Sequence, residues 1–241
     1  MLSDSPGSPL TAGAARLLLV RHGENIANLT KEFSHRLVDH PLTERGVLQA
    51  RQTAEALVGR GVDAIFSSPL RRATQTAQIF AGRLGLPFEV IEDLREANIG
   101  DLEKSPPTAE TWARHNAIVE SWFRGQPENA FPGGENYHGL TARYFNALRQ
   151  ALLGREGQTL VLVGHGGMFS WTLPALVPQV DLLWLRDQIN HNCSITEILV
   201  WEEEDRVTGC LLSWADTRHL HGEAANFAHP LATDADFNRS G

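Results

Sequence analysis

The stretch LLLVRHGEN, residues 17–25, joins four apolar residues directly to an arginine, a histidine and a glycine. A short apolar run of this kind is typical of a strand that is covered on both faces, as in a parallel sheet. The residues that follow it, Arg21, His22 and Gly23, suit a chain that meets an anion where the strand ends. This stretch therefore predicts a buried strand that delivers Arg21 and His22 to one edge of a sheet, where they can meet an anion.

A second apolar run ends in the same way. The stretch TLVLVGHGG, residues 159–167, places His165 between Gly164 and Gly166. The carboxyl ends of parallel strands meet at one edge of an open α/β sheet, and ligands bind in the crevice beyond that edge. We therefore expect His22 and His165 to face the same crevice.

A third run, DAIFSS at residues 63–68, leads into PLRRATQTA, which has the features of a helix start. Arg71 and Arg72 then lie in the first helical turn, where their charge opposes the helix dipole. Helix stability alone does not explain two arginines at this place. An anionic ligand in the same crevice does.

The order of the remaining patterns indicates an α/β fold, with a mostly parallel sheet between two layers of helices. The predicted strands are residues 16–21, 64–67, 88–91 and 159–164, followed by a hairpin of residues 195–201 and 207–214 around the turn EEED. The predicted helices begin near Thr43, Pro69, Thr108 and Glu135, and after Gly167. We therefore expect a three-layer α/β/α sandwich.

Composition excludes several classes of function. The chain has 241 residues, 42% of them hydrophobic, and a net charge of −8, so a broad basic surface for nucleic acid is not expected. The cysteines Cys193 and Cys210 fit no metal or disulfide framework and are predicted to be free thiols. The opening residues lack a basic signal region, and the run LLLV is too short to cross a membrane. We predict a cytoplasmic protein without nucleic-acid or membrane partners.

The chain divides into three parts by composition. Residues 1–14 are rich in Ser, Pro, Gly and Ala and are predicted to be a flexible segment. Residues 15–220 form the predicted domain, in which residues 100–134 interrupt the regular pattern and are predicted to be a lid insertion. Residues 221–241 are predicted to be a flexible tail.

Six motifs together resemble the histidine phosphatase superfamily, the phosphoglycerate mutase-like family. They are LLLVRHGENIAN, PLTERG, SSPLRRATQTA, LREANIGDLE, PGGENY and VLVGHGG, and they stand in the family's order. The segments NHNCSIT and WADTRHL are similar to the family's closing segments. The resemblance implies a phosphoglycerate mutase-like fold and a metal-independent phosphatase that needs no cofactor and acts through a phosphohistidine.

The resemblance also implies a role for each site residue. His22 matches the nucleophile that accepts the phosphoryl group, and Glu96 matches the proton donor and later base. Arginine forks suit paired phosphoryl oxygens. The predicted phosphate pocket consists of Arg21, Gly23, Asn28, Arg72, His165 and Gly166, of which Arg21, Arg72 and His165 are also predicted to be catalytic, and no metal site is predicted.

One departure concerns the turn after the donor. Where relatives commonly read GEWEG, this chain reads GDLEK at residues 100–104, which leaves the lid geometry open. The predicted lid insertion carries three basic and five acidic residues: Lys104, Arg114 and Arg124 against Asp101, Glu103, Glu110, Glu120 and Glu128. This net acidity favours a phosphatase acting on small phosphate monoesters over a mutase that grips a second anionic group.

Alternatives remain from the sequence alone. A phosphoglycerate mutase-type phosphotransferase shares the first half of the reaction, and a non-catalytic module could hold phosphorylated ligands. A metal-binding protein is disfavoured, because the ten histidines show no ligand spacing other than His219 and His221 in the tail. Oligomeric state stays open between a monomer and a homodimer.

Other predictions concern residues outside the predicted phosphate pocket. The roles of Arg71, His35 and His138 are left open, each with a place at the crevice or at the surface. Arg143 is predicted to help dock a helix on the sheet, and Asn192 to position a strand.

Overall fold

The computed structural model describes residues 13–204 and 206–227, without the side chains of residues 182 and 183. Six strands form one sheet in the order β3-β2-β4-β1-β5-β6. They are β1 Ala15–Arg21, β2 Val62–Ser67, β3 Phe88–Val90, β4 Thr159–Gly164, β5 Ile195–Glu203 and β6 Arg206–Asp216. The first four are mutually parallel, whereas β5 and β6 run antiparallel as the predicted hairpin.

Helices cover both faces of this sheet. They are α1 Ile26–Thr30, α2 Glu44–Leu57, α3 Arg71–Leu84, α4 Ala109–Phe123, α5 Tyr137–Leu152, α6 Gly166–Leu176 and α7 Leu182–Arg186. Short 3-10 turns lie at Glu92–Leu94, Gly100–Lys104 and Gly222–Ala225. Among the helices of the described residues, none is both long and apolar enough to span a membrane.

Alternation along β1 divides the core into two layers. Leu17 and Leu19 pack on the face that is covered by α5 and α6. Leu18 and Val20 pack on the other face, against apolar residues of α2 and α3. Because the strand is buried on both faces, it reads as a continuous apolar run in the sequence. The predicted three-layer α/β/α sandwich is confirmed.

The helix starts follow the predicted capping residues closely. The Oγ1 atoms of Thr43 and Thr108 accept the backbone N–H groups of Gly46 and Thr111, at the starts of α2 and α4. Asn136 caps α5, one residue after the predicted start. The sequence analysis missed α1 and α7, which are five residues long and too short to show a helical period.

The predicted lid insertion, residues 100–134, contains a 3-10 turn and α4. Its aromatic residues Trp112, Trp122 and Phe131 are at most 6% exposed and belong to the core that covers one sheet face. Trp112 packs against Phe33 with ring centroids 4.1 Å apart. The aromatic residues of this segment therefore fix it to the domain, and its function as a lid stays a prediction.

The first part of the C-terminal tail differs from the prediction of flexibility. Ala224 is fully buried, and its carbonyl accepts a hydrogen bond from Gln49 of α2. Phe227 stacks on His191 with ring centroids 4.0 Å apart. Ala224 therefore packs on α2, and the described chain continues past Leu220 to Phe227 in contact with the domain; the domain boundary at Leu220 stays a prediction. The predicted flexible residues 1–12 and 228–241 lie outside the described part of the chain.

Both cysteines are free thiols, as predicted. Cys193 is buried beside the end of β1, and its backbone N–H donates to the Arg21 carbonyl. Burial raises the pKa of the Cys193 thiol to about 12. This thiol is therefore protonated at neutral pH and packs as a small apolar side chain.

Candidate active site

The ends of three parallel strands meet at one edge of the sheet. Arg21 in β1 is paired with Gly164 in β4, and the backbone N–H of His22 donates to the Gly164 carbonyl over 2.9 Å. On the other side of β4, the N–H of Ser68 donates to the Val163 carbonyl. This pairing places the residues after β1, β2 and β4 next to each other, as the sequence predicts.

His22 is held in one tautomer by two hydrogen bonds. Its Nδ1 lies 2.7 Å from the Gly23 carbonyl oxygen, which accepts the Nδ1 proton. The Nε–H of Arg72 donates to His22 Nε2 over 3.0 Å, so Nε2 carries the lone pair. Burial, followed by the charges of Arg72 and Arg21, lowers the pKa of His22 well below its usual value. The imidazole is therefore neutral, and its lone pair lies on Nε2.

His165 lies beside His22, with ring centroids 5.2 Å apart. Its Nδ1 accepts a hydrogen bond from Arg72 Nη2 over 3.1 Å, and its Nε2 donates to Ser68 Oγ over 2.7 Å. The side chain is fully buried, and burial together with the charge of Arg72 lowers the pKa of His165 well below its usual value. Because a guanidinium can only donate, Arg72 fixes the tautomer of His165, and Ser68 accepts the Nε2 proton.

Arg72 joins the two histidines to the loop between α1 and α2. Its Nη1 donates to Ser34 Oγ over 2.8 Å and its Nη2 to the Ser34 carbonyl over 3.0 Å. Burial lowers the pKa of Arg72 to about 10, against the opposing charges of Glu96 and Asp39, so the guanidinium remains charged at neutral pH. A charged guanidinium therefore lies directly beside His22 Nε2.

Arg71 has a different environment from Arg72. It begins α3, and its backbone N–H donates to both carboxylate oxygens of Asp39 over 2.9 and 3.0 Å. Leu70, the residue at the cap position, offers no side-chain cap, so Asp39 satisfies this helix end from another loop. The side chain of Arg71 is exposed, whereas Arg72 is 2% exposed.

Arg21 has a hydrogen-bond donor to spare. Its Nη1 donates to the Asn190 carbonyl, whereas its Nε is buried and has no hydrogen-bond partner among the described residues. A Cβ on Gly166 would lie 3.3 Å from this Nε, so a side chain there would crowd the guanidinium. Burial lowers the pKa of Arg21, against the charge of Glu96. Arg21 and Gly166 are thus brought together at the strand ends, as predicted.

Asn28 is oriented by its neighbours. Its Oδ1 accepts the backbone N–H of Asn25 over 3.1 Å and Nδ2 of Asn192 over 3.0 Å. Asn192 Nδ2 also donates to the His22 carbonyl over 2.9 Å. Because both donors hold the oxygen of the Asn28 amide, its NH₂ end is the one that can donate to a ligand.

Gly23 has a packing reason to be glycine. A Cβ on Gly23 would lie 2.5 Å from the carbonyl oxygen of Gly46 in α2. Its backbone N–H donates to Thr76 Oγ1 over 3.0 Å. Close approach to α2 therefore accounts for this glycine, and its contact with phosphate stays a prediction.

The Glu96 carboxylate lies at the N-terminus of α6. It accepts the backbone N–H groups of Gly167 over 3.1 Å and Met168 over 2.7 Å, and that of Ala97 over 2.9 Å. A Cβ on Gly167 would lie 3.0 Å from Glu96 Oε1, so glycine leaves room for the carboxylate. Its charge raises the pKa values of Arg21 and Arg72, which places it in the same electrostatic site as the arginines.

A second carboxylate, Glu103, organises the loop that carries Ser34. Its Oε1 accepts four consecutive backbone N–H groups, those of residues 35–38, over 2.7 to 3.3 Å. His35 lies in this loop, and its Nε2 accepts Arg36 Nε over 3.3 Å. Burial lowers the pKa of His35 to about 4, against the charge of Glu103. His35 is therefore a neutral, buried imidazole close to Glu96 and Glu103.

The other histidines lie away from this cluster or have structural partners. His138 is exposed on α5, and His40 Nε2 lies 3.0 Å from Glu32 Oε2 in a hydrogen bond. His219 Nε2 lies 2.9 Å from Thr53 Oγ1. Within the described residues, no group of three or more His, Cys, Asp or Glu side chains is arranged to hold a metal ion.

Sequence reasoning missed four residues that hold the site together. Ser34, Ser68 and Asn192 each hydrogen-bond to a predicted site residue. Arg143, predicted only to dock a helix, donates to the backbone carbonyl of Glu96 over 3.1 Å. Single Ser, Asn and Arg residues carry no spacing signal, so nothing in the sequence marks these partners before the strands are brought together.

Similar proteins were found by sequence and by structure. A family model described as the histidine phosphatase superfamily, branch 1, matches residues 17–212. The probable phosphoglycerate mutase GpmB of Yersinia pestis is 32% identical over 211 residues, which cover 85% of this chain and 94% of that protein.

Two solved structures share the fold. A mycobacterial glucosyl-3-phosphoglycerate phosphatase, solved in complex with VO3, has a TM-score of 0.70 at 28% identity, over 84% of this chain and 99% of that one. Bacillus stearothermophilus YhfR has a TM-score of 0.70 at 27% identity, over 86% of this chain and 99% of that one. These matches confirm the predicted fold, and an enzyme of the phosphatase type agrees with them. On the family model and the shared fold together, this chain belongs to branch 1 of the histidine phosphatase superfamily.

Proposed function

We propose that this protein is a phosphatase that hydrolyses small phosphate monoesters through a phosphohistidine at His22, without a metal ion. The observation that carries the proposal is the fixed tautomer of His22. The Nδ1–H group donates a hydrogen bond to the Gly23 carbonyl, and the lone pair of Nε2 lies beside Arg72. A neutral imidazole in this state is a nucleophile at neutral pH and needs no general base.

In the first step, His22 Nε2 attacks the phosphorus atom, an N–P bond forms, and the P–O bond to the leaving alcohol breaks. Arg72 Nε–H exchanges Nε2 for a phosphoryl oxygen as the bond forms. Arg21, whose buried Nε has no hydrogen-bond partner among the described residues, binds a second oxygen, and His165 and the Asn28 amide complete the pocket. The guanidinium groups supply the positive charge that a metal ion supplies in other phosphatases.

Glu96 moves the protons in both steps. In its protonated form it donates to the oxygen of the leaving alcohol. In the second step its carboxylate takes a proton from the attacking water, the N–P bond breaks, and inorganic phosphate leaves. Its closeness to Arg21 and Arg72, whose pKa values it raises, supports this assignment.

The charge of the 100–134 segment favours a phosphatase over a mutase. Two of its basic residues are paired within the segment, Lys104 with Asp101 and Arg124 with Glu120. A mutase must hold a second anionic group of its substrate, which calls for basic side chains directed at that group. The likeness to a probable phosphoglycerate mutase makes phosphoglycerate isomerisation the second candidate. The lid function of the segment, the homodimer and the cytoplasmic location stay predictions.

The first experiment measures phosphate release from a panel of phosphate monoesters in the presence of a chelator. Wild-type protein is compared with His22→Ala, and His138→Ala serves as the matched control because this histidine lies exposed on α5. We expect the wild type and the control to release phosphate, and His22→Ala to lose at least about a thousandfold in kcat. Circular dichroism verifies that all three proteins are folded.

Trapping of the intermediate completes this test. Each protein is mixed with a ³²P-labelled ester and the reaction is quenched rapidly. We expect an acid-labile, base-stable phosphoryl group on wild-type protein and none on His22→Ala. Phosphate release by His22→Ala at the wild-type rate would remove His22 from the mechanism. Loss of activity in the chelator, restored by a divalent metal, would contradict metal independence. Isomerisation of 3-phosphoglycerate without phosphate release would favour the mutase.

A further inference from the structure

The donor Glu96 lies on a backbone segment that is neither helix nor strand. The segment follows the 3-10 turn Glu92–Leu94, and Gly100 begins the next turn. Its carbonyl groups therefore have no strand or helix partners, and a side chain from α5 serves them instead. We propose that Arg143, held by Glu135, is the positioning residue that fixes the proton donor Glu96. This proposal rests on the proposed function of Glu96.

Arg143 makes two hydrogen bonds to this segment and one to the 3-10 turn before it. Its Nη1 donates to the carbonyl of Asp93 over 2.9 Å and to that of Arg95 over 2.6 Å. Its Nη2 donates to the carbonyl of Glu96 itself over 3.1 Å. The side chain is 18% exposed, so water is a poor substitute for these contacts. One guanidinium thus fixes the backbone at Glu96 and directly before it.

Glu135 orients the guanidinium and extends the contact beyond the donor. Arg143 Nε donates to Glu135 Oε2 over 3.0 Å and Nη2 to Oε1 over 2.7 Å, which is a bidentate pair. Glu135 Oε1 also accepts the backbone N–H of Asn98 over 2.7 Å, and the Glu135 N–H donates to the Asn98 carbonyl over 2.9 Å. The pair therefore brackets Glu96 from both sides along the chain.

The Arg143–Glu135 pair matters most when the charge of Glu96 changes during the reaction. The carboxylate accepts backbone N–H groups of Ala97, Gly167 and Met168. Such bonds are strong to an ionised carboxylate and weaken when it is protonated, which is the state that donates a proton. The contacts of Arg143 are made to backbone carbonyls and do not depend on the charge of the Glu96 side chain. They hold the donor in place when its own contacts are weakest.

The expected consequence depends on the leaving group. An alkoxide needs a proton as it leaves, whereas p-nitrophenolate leaves without one. A displaced Glu96 therefore slows the phosphorylation step for alkyl esters and leaves that for p-nitrophenyl phosphate largely unchanged. The value of kcat/KM reports the reaction up to formation of the phosphohistidine, so it isolates this step from the later hydrolysis.

The experiment measures kcat/KM for p-nitrophenyl phosphate and β-glycerophosphate with wild type, Arg143→Lys and Glu96→Gln. A lysine keeps the charge but cannot reproduce the five contacts of the guanidinium. We expect the ratio of the aryl to the alkyl value to rise about tenfold or more in Arg143→Lys, in the same direction as in Glu96→Gln. Arg149→Lys, an exposed arginine of the same helix, leaves the ratio unchanged.

A second variant, Glu135→Gln, covers the case in which Arg143→Lys fails to fold, because it keeps the shape of the side chain and removes its charge. We expect a smaller rise of the same ratio. An equal loss on both esters, or an unchanged ratio in folded variants, would overturn the positioning role. If Glu96→Gln itself leaves the ratio unchanged, the donor assignment fails, and if wild type hydrolyses neither ester, the proposed function fails.

Discussion

Four buried histidines have lowered pKa values, and their surroundings differ. Burial is the largest cause in each case: His22, His165, His35 and His115. Arg72 adds to the effect at His22 and His165, because a positive charge beside an imidazole disfavours protonation of the ring. No charged group adds to it at His115, which is buried among aromatic rings, including those of Phe33 and Trp112. The lowered pKa values of His22 and His165 suit the proposed reaction, which needs neutral imidazoles. The lowered pKa of His115 follows from its packing among aromatic rings.

The His115 imidazole makes folding sensitive to acid. Burial lowers its pKa to about 4, so below pH 6.5 the unfolded chain binds a proton that the folded chain does not. The free energy of unfolding therefore falls as pH drops from 7 towards 4. We predict that His115→Phe removes about 2 kcal/mol of this fall between pH 7 and pH 5. Urea unfolding at several pH values measures it.

Trp112→Phe is the matched control for the altered packing around His115. It changes the same aromatic cluster and removes no titratable group, so it shifts the free energy of unfolding by a similar amount at each pH. An unchanged pH slope in His115→Phe would show that the pKa of His115 is the same in the folded and unfolded chain, contrary to the effect of its burial.

At the scale of residues, the sequence predicts groups that act on a ligand better than groups that act on the backbone. Arg21, His22 and His165 follow apolar strands, and that pattern is visible in one dimension. Arg143 and Asn192 act through carbonyls of distant segments, 47 and 170 positions away. A carbonyl is present at every residue, so no residue type in the sequence marks the acceptor.

Among the elements, the loop from α1 to α2 depends most on a distant partner. It has no helix or strand between Lys31 and Pro41, yet Ser34 in it holds Arg72. Glu103 binds the backbone N–H groups of residues 35–38, and Asp39 joins the loop to the start of α3. The conformation of residues 35–38 therefore depends on the carboxylate of Glu103, which lies outside the loop.

Removal of the Glu103 carboxylate is expected to loosen this loop. We predict that Glu103→Ala lowers the free energy of unfolding by about 2–3 kcal/mol, because four backbone donors lose a buried acceptor. We also predict a lower kcat/KM, since Ser34 no longer holds Arg72 in a fixed position. Denaturant unfolding and steady-state kinetics measure both.

Asp101→Asn is the control for Glu103→Ala. Asp101 lies in the same 3-10 turn, and its ion pair with Lys104 is exposed, with side chains 65% and 67% accessible. Such a pair contributes little to stability, so we expect a change below about 0.5 kcal/mol. Equal stability and activity of Glu103→Ala and wild type would mean that the loop is held by Arg72 and Asp39 alone.

The elements that the sequence predicts are those with a local signal. Capping residues mark α2 and α4, and apolar runs mark the parallel strands. The segment 100–134 could not be predicted in detail, because its fold depends on rings of Phe33 and Trp171 that belong to other parts of the chain. Its tryptophans Trp112 and Trp122 pack in the core of the domain, and these contacts form only when distant parts of the chain come together.

At the scale of the whole molecule, the described C-terminal residues contact the loop of residues 190–192, which holds Arg21 and His22. The tail packs on α2 through Ala224, and Phe227 stacks on His191. The loop around His191 carries the Asn190 carbonyl, which accepts Arg21, and Asn192, which donates to the His22 carbonyl. Sequence composition alone predicts a flexible tail here, because small and polar residues hide the few apolar contacts. The contact with α2 is visible only in the folded chain.

The last prediction compares a chain that ends at Leu220 with one that ends at Phe227, so that the difference belongs to residues 221–227 alone. The shorter chain loses the buried Ala224, the Phe227 ring and the hydrogen bonds between His221 and Gln52. We expect it to be less stable by about 2–3 kcal/mol, from the apolar area that these residues bury. Because the loop that orients Arg21 loses its stacking partner, we also expect a higher KM for phosphate esters. Phe227→Ala in the full chain isolates the stacking, and equal stability and KM of the two truncated chains would place the domain boundary at Leu220.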